Sequence, residues 1–298
     1  MGPARLAPLL FLLLVSLFSV CSGGGGDSLD GGVYEEAWAI RNVKISGMAY
    51  CQPSAINAST VGAYSISDFY PLEVWTNSSL QFFTGYDALY DAVVVSFRGS
   101  MDLSNWMSDL SIRLVYPYSS SSSIGVHRGF FEEYHLMLPF LAASLLSASS
   151  FTGSTRVLSV GHSAGGAVAT LLSYELKAGL LAQTVPGLEL LGLYTFGSPR
   201  VGNRDFANDC RKVGVPHMRV THHRDVFPHL PEKVFGYQHT STEVYYNEDS
   251  SEYKICEDEE GEDDECSNQC GEKCKSVEDH MNYINVDMGT PPCSAAPS

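Results

Sequence analysis

Apolar and polar positions alternate in blocks of two kinds along this chain. Residues 92–97 (AVVVSF) form a short continuous apolar run, as expected for a strand buried on both faces, and residues 156–160, 190–196 and 217–221 are further strand-type stretches. Longer stretches with helical spacing lie between them. Residues 34–50 place Ala37, Ile40, Val43, Ile45 and Met48 at such spacing, and residues 130–147, 164–178 and 203–213 also read as helices. Strands separated by helices of ten or more residues predict parallel βαβ units in one sheet, an α/β fold. Ser119–Ser123 is a run of five serines and reads as a surface loop. The run Thr242-Glu243-Val244-Tyr245-Tyr246 is strand-like, and the chain then turns polar.

The N-terminus adds a compartment. Arg5 precedes an apolar run at 9–20, and small residues follow to Gly26. The run is shorter than the roughly 20 residues a membrane span needs, so residues 1–26 are expected to be an export signal with a flexible leader. No later segment is expected to span a bilayer. Residues 27–298 then form one domain of a secreted protein. Asn57-Ala58-Ser59 and Asn77-Ser78-Ser79 are glycosylation sequons that suit this route. In an oxidising compartment cysteines are disulfide candidates first. Cys51 and Cys293 lie near the two ends, where a bridge would tie both down. Cys256, Cys266, Cys270 and Cys274 cluster, and their spacing lacks the C-x2-C pairs of a zinc site. Cys210, on a predicted helix away from the others, is expected to be the free thiol.

Net charge narrows the partners. The chain has 298 residues and a formal charge of −16, which disfavours nucleic acid and anionic membrane surfaces. The charge is concentrated. Residues 243–279 carry 15 acidic side chains against three lysines, so the rest of the chain is close to neutral. The polar part of this segment, about 247–276, reads as an insertion, expected to be a soluble outer loop.

The chemistry is announced by Gly161-His162-Ser163-Ala164-Gly165, a G-x-S-x-G motif between a predicted strand and a predicted helix. Such a turn lifts the serine hydroxyl out of the sheet beside a helix N-terminus, where backbone N–H groups can meet an oxyanion. A serine needs a base and an orienting carboxylate, and in this fold type they follow it in that inverse order, acid then histidine. Asp225 directly follows a strand, the end where sites form in open parallel sheets, which favours it over Asp205 and Asp209 on a predicted helix. His217, His222 and His223 lie on or beside a strand. His229, His239 and His280 all remain open as the base on these grounds.

Several separated stretches share one family resemblance. They are Ser96-Phe97-Arg98-Gly99-Ser100, Asn105-Trp106-Met107-Ser108-Asp109-Leu110, Val126-His127-Arg128-Gly129-Phe130, the serine motif, Thr195–Asn203, Arg224–Pro231 and Asp279-His280. In this order, from about Tyr34 to Cys293, the chain resembles the class 3 triacylglycerol lipases of the filamentous-fungal type. The resemblance implies an α/β-hydrolase fold and a triad of Ser163, Asp225 and His280. It makes Ser100 and Ala164 the oxyanion donors, with Asp109 expected to hold the Ser100 side chain. It gives His229 a structural hydrogen bond, leaves His239 outside the triad, and makes Asp279 a solvated or capping residue. It pairs Cys256 with Cys266, leaving Cys270 with Cys274. The motif has Ala164 where the family commonly carries leucine, which opens space beside the oxyanion hole.

Residues 101–114 have amphipathic helical spacing through Met101, Leu103, Trp106, Met107, Leu110 and Leu114. The resemblance makes this segment, with Asn105, Trp106 and Asp109, a lid that turns outward at a lipid–water interface. The expected activity is hydrolysis of acylglycerol esters by acyl transfer, with no metal or organic cofactor required. Phospholipase A1 or feruloyl-type esterase activity on the same fold is the enzymatic alternative, and an inactive secreted binding protein the non-enzymatic one.

Overall fold

The computed structural model describes residues 33–118, 121–240, 242–256, 261–289 and 293. The expected export signal and leader at 1–26 lie outside these residues.

Eight strands form the main sheet in their chain order. They are β1 (Phe69–Thr76), β2 (Gln81–Asp87), β3 (Ala92–Phe97), β4 (Arg156–His162), β5 (Glu189–Phe196), β6 (His217–His222), β7 (Glu243–Tyr246) and β8 (Tyr253–Ile255). The five strands β3 to β7 run parallel. The hairpin β1–β2 and the edge strand β8 are antiparallel additions. Helix α1 (Glu36–Met48) covers one face. The amphipathic segment contributes α2 (Leu103–Asp109), and α3 (Arg128–Thr152), α4 (Ala164–Lys177) and α5 (Arg204–Val213) lie towards the other face.

Burial on both faces explains why β3 reads as a continuous apolar run. All six residues of β3 are buried. Ala92 and Val94 join the core beneath α1, while Val93, Val95 and Phe97 join the core beneath α3 and α4, as the twofold alternation of a strand requires. The β1–β2 hairpin was not apparent in the apolar pattern. β1 contains Pro71 and a bulge between Pro71 and Glu73, features tolerated at a sheet edge.

Two expectations change. By length and composition α3 is long and apolar enough to cross a membrane, contrary to the reading that no segment past the leader is. Here its face of Phe130, Tyr134, Met137, Leu141 and Leu145 is buried in the core. The amphipathic stretch 101–114 is helical only from Leu103 to Asp109. Asp102 caps it by accepting from the Asn105 N–H (3.0 Å). Beyond it the Ser111 carbonyl accepts from His127 Nε2 (2.5 Å), and Leu114–Val115 pairs with Val126–His127. These partners hold the second half extended.

The cysteines form Cys51–Cys293, Cys256–Cys266 and Cys270–Cys274, and Cys210 is free and buried. The clustered four are thus bonded to each other, although His229 and Asp263 lie within metal-ligating reach of them. Asn57 and Asn77 are both exposed.

Candidate active site

The residues singled out in the sequence meet at the carboxyl ends of β3, β4 and β6. Ser163 follows β4 with φ 57° and ψ −136°, a left-handed conformation unusual for a side-chain-bearing residue. Close packing makes the turn possible. A Cβ on Gly161 would come within 2.3 Å of the Gly165 carbonyl oxygen, and one on Gly165 within 2.2 Å of the Phe97 carbonyl oxygen. Only glycine allows strand and helix to cross so tightly.

Asp225 leaves the end of β6, and His280 sits on a short 3₁₀ turn, Asp279–Met281. The two are 55 residues apart and yet bonded: His280 Nδ1 donates to Asp225 Oδ2 at 2.8 Å. The returning chain is fixed just before the histidine. Ser276 bridges to Asp225, with the Ser276 N–H donating to the Arg224 carbonyl (3.0 Å). Asp279 is neither solvated nor a cap of the turn. Its Oδ2 accepts from the Arg224 N–H (3.0 Å) and from His223 Nδ1 (3.1 Å), tying the turn to the end of β6.

Asp225 is held on three sides. Oδ1 accepts from the Phe227 N–H (2.8 Å), and Oδ2 accepts from both His280 and the Tyr283 hydroxyl. Burial raises the Tyr283 hydroxyl well above its ordinary range, so it stays a donor beside this carboxylate. With Nδ1–H committed to Asp225, Nε2 of His280 carries the lone pair. That Nε2 and Ser163 Oγ are both buried and without a hydrogen-bond partner among the described residues. The arrangement leaves an oriented base and a free hydroxyl in one water-poor site.

A second histidine supports the first. His162, the variable residue of the serine motif, is fully buried, and burial pushes its imidazole well below the ordinary range, keeping it neutral. Its Nε2 donates to the His280 carbonyl (2.8 Å), so Nδ1 accepts from the Tyr50 hydroxyl (2.7 Å). Tyr50, His162, Phe227 and Tyr283 were missed in the sequence. His162 and Phe227 sat inside quoted motifs and could have been suspected. Tyr50 carries no motif.

Ser100 and Ala164 flank Ser163. Ala164 opens α4, so its N–H has no intrahelical acceptor. Ser100 follows Gly99, where a Cβ would come within 2.8 Å of Ser163 Cβ. The Ser100 hydroxyl is turned to the Asp102 backbone, donating to its carbonyl (3.2 Å) and accepting from its N–H (3.3 Å). The Asp109 side chain lies outside the described residues. A cavity of about 290 Å³ adjoins both residues, lined also by Leu80, Met101, Trp106 and Glu133. Trp106 on α2 packs on Phe130 and Phe227, with centroids 6.1 and 5.4 Å apart.

The other histidines sit elsewhere. His239 is buried and donates from Nε2 to the Pro228 carbonyl (2.6 Å). His229 offers its carbonyl to Arg200 Nη1 (2.6 Å). His217 lies between the Thr195 and Thr240 hydroxyls, at 2.8 Å from each. Asp209 accepts from the Tyr174 hydroxyl (2.8 Å), on the α5 side of the molecule.

The acidic segment is not simply an outer loop. Arg200 binds Glu262 through two bonds, Nε–Oε1 at 2.7 Å and Nη2–Oε2 at 2.9 Å, with both side chains buried. Arg219 Nη2 donates to Glu243 Oε2 (3.0 Å) and to the Gly261 carbonyl (2.8 Å). Two carboxylates of the segment thus anchor it to the body, while others, such as Glu265, stay exposed.

Comparison with known proteins gives one consistent result. A family model described as lipase (class 3) matches residues 94–235. A lipase of Rhizomucor miehei is 35% identical over 202 residues, covering 66% of this chain and 53% of that protein. A secreted mono- and diacylglycerol lipase of Fusarium solani is 34% identical, covering 62% and 55% respectively. The chain thus spans about half the length of the curated relatives it matches. A solved triacylglycerol lipase, described as having a serine protease triad as its catalytic centre, superposes with a TM-score of 0.74. It is 30% identical, and the match covers 86% of this chain and 96% of that one.

Proposed function

Because the chain belongs to the class 3 lipase family, we propose that it is a secreted serine lipase hydrolysing acylglycerol esters, with residues 27–298 as its catalytic domain. One observation carries the reading. Ser163 Oγ and His280 Nε2 are both buried and unpartnered among the described residues, and the opposite edge of that imidazole is bonded to Asp225.

The chemistry follows from these atoms. His280 Nε2 takes the proton of Ser163 as its oxygen attacks the ester carbonyl. Asp225, held by Phe227 and Tyr283, stabilises the imidazolium that forms. The N–H groups of Ser100 and Ala164 receive the oxyanion, each such donor contributing about 2.7–4 kcal/mol in comparable sites. The alcohol leaves with the proton of His280, and water repeats the sequence on the acyl-enzyme. Ser163 and His280 are wholly covered. Trp106 on α2 packs on Phe227, which in turn stacks on His280, and this partly buried tryptophan suits a lid that trades core contacts for a lipid surface as it uncovers the site. The segment holding Asn105, Trp106 and Asp109 is that lid.

The test is direct. A serine-directed phosphonate should label Ser163, and Ser163→Ala should lower ester turnover by about 10⁶-fold. His280→Ala should abolish hydrolysis, whereas His239→Ala should keep most of it. Retained turnover in His280→Ala would remove that residue from the triad. Emulsified triacylglycerol, phospholipid and aryl esters compared side by side identify the ester class.

A further inference from the structure

The cavity beside the oxyanion residues contains one group the mechanism does not use. Glu133 projects from α3 into the lining that also holds Ser100, Ala164 and Trp106. Two other charged residues share that lining, and each has a partner. Asp102 accepts from the Asn105 backbone N–H and from its side-chain amide (3.0 and 2.5 Å), and Arg98 Nη2 donates to the Ser79 carbonyl (2.7 Å). Glu133 is half-buried and has neither a hydrogen bond nor an ion pair among the described residues. Burial pushes its carboxyl up to about 7.

A carboxyl group partly withdrawn from water and without a protein donor loses part of its solvation, and a ligand that supplies a donor recovers that cost. We propose, on the reading of the protein as an acylglycerol hydrolase, that Glu133 is a specificity residue accepting a hydrogen bond from an unesterified hydroxyl of the substrate, so that the preferred class is partial acylglycerols. The chemistry discriminates in one direction. A mono- or diacylglycerol carries a hydroxyl oxygen three or four bonds from the ester oxygen of the scissile bond. A triacylglycerol has none and leaves the carboxyl unpaired under an apolar chain. Sites built to bond a hydroxyl reject the analogue that lacks it far more strongly than apolar pockets reject an added group. Glu133 keeps an oxygen free to accept whether or not it is protonated, so the preference persists across neutral pH.

The experiment compares dibutyrin with tributyrin on the full secreted chain, with each rate divided by active sites titrated with a phosphonate. Wild-type protein should favour dibutyrin. In Glu133→Leu the dibutyrin-to-tributyrin ratio of kcat/KM should fall about tenfold. Glu133→Gln, which keeps an acceptor and similar volume, should retain most of the ratio. An unchanged ratio in titratable Glu133→Leu overturns the inference while leaving the hydrolase reading intact. Titratable wild-type protein that cleaves neither glyceride overturns the hydrolase reading, and the inference falls with it.

Discussion

The ring of Phe227 lies face to face on the imidazole of His280, with centroids 3.6 Å apart and planes at 19°. The same residue donates its backbone N–H to Asp225. One residue therefore fixes the plane of the base by contact and the carboxylate by a hydrogen bond. The face of a phenyl ring also favours a cation laid on it, so the contact strengthens as the imidazolium forms. Phe227→Leu should reduce kcat by roughly tenfold to a hundredfold, as expected for a misplaced reacting group. Because the effect acts on the base, it should be alike on a soluble butyrate aryl ester and on a long-chain glyceride. Phe227→Tyr should retain most of the activity. A loss confined to long chains, carried in KM, would instead make Phe227 a wall of the acyl site.

Gly197 stands directly behind the Asp225–His280 pair. Its φ is +60°, and a Cβ there would lie 2.8 Å from Asp225 Oδ2 and 2.8 Å from the His280 ring. Gly197→Ala therefore carries a backbone cost of about 1–2 kcal/mol and forces acid and base apart. The expected result is a folded protein with kcat reduced by about a hundredfold or more, and with phosphonate labelling of Ser163 slowed in parallel. Near wild-type kcat with unchanged labelling would show that the pair can shift and still work.

How much of this was legible follows from where each partner lies in the chain. Strand β3 was readable because burial on both faces writes an uninterrupted apolar run, and β4 to β7 were readable as strand-type stretches. Ser163 was readable because its constraint is local, with Gly161, Gly165 and the turn adjoining it. Asp225 was readable as the first carboxylate past a strand end. His280 was different: on residue chemistry alone it competed with His229 and His239, and only the family resemblance selected it. It arrives on a 3₁₀ turn after a long excursion, and what fixes it is contact with Asp225, Phe227 and His162, none of which leaves a local pattern. The lid helix was overextended for a similar reason. The apolar spacing continues to Leu114, but Ser111 and Leu114 are committed to His127 and its strand. The acidic segment misled most. A charge count suggests a solvated loop, because nothing in it reveals that Glu262 lies under Arg200, 62 residues earlier.

Buried histidines set the response to acid. Burial first, and then the charge of Arg219, push His217 down to about 3, so it is neutral in the folded protein. Once unfolded it titrates near 6.5. Below that value the unfolded chain binds a proton that the folded chain refuses. Stability is therefore full above about pH 6.5 and is lost as pH falls towards about 3. The slope should be about 1.4 kcal/mol per pH unit for each such histidine. His162 and His239 are shifted in the same direction by burial and steepen the dependence. Urea midpoints between pH 7 and 5 read this effect, and because the Glu133 carboxyl, pushed up to about 7, changes charge in the same window, the measurement is the difference between wild-type protein and His217→Gln. His217→Gln should shallow the slope by close to one proton, and a slope that does not change would exclude His217 as a source.

The buried pair of Arg200 and Glu262 should matter more than the many exposed charges around it. Burial alone would raise the Glu262 carboxyl, but the hydrogen bonds and charge of Arg200 outweigh it, and the group sits well below the usual carboxylate range. It therefore contributes stability above the ordinary carboxylate range near pH 4.3, and that contribution is lost as pH falls through its depressed folded value. Arg200 also donates to the carbonyls of His229 and Pro231, and Glu262 accepts from the His239 N–H, so the pair joins the acidic segment to the stretch following Asp225. Glu262→Gln leaves a buried guanidinium without its anion and should lower unfolding stability by about 3–5 kcal/mol at pH 7. The loss should diminish as the comparison is moved towards pH 3. Replacing both partners, Arg200→Met with Glu262→Leu, should restore much of it, because the cost arises from the unpaired charge. Glu265 provides the contrast, since it pairs with Lys254 at the surface (2.9 Å) and is largely exposed. Glu265→Gln should leave the urea midpoint unchanged within error. Equal effects of the two substitutions would mean that total acidity, and not the Arg200 anchor, holds this segment against the catalytic body.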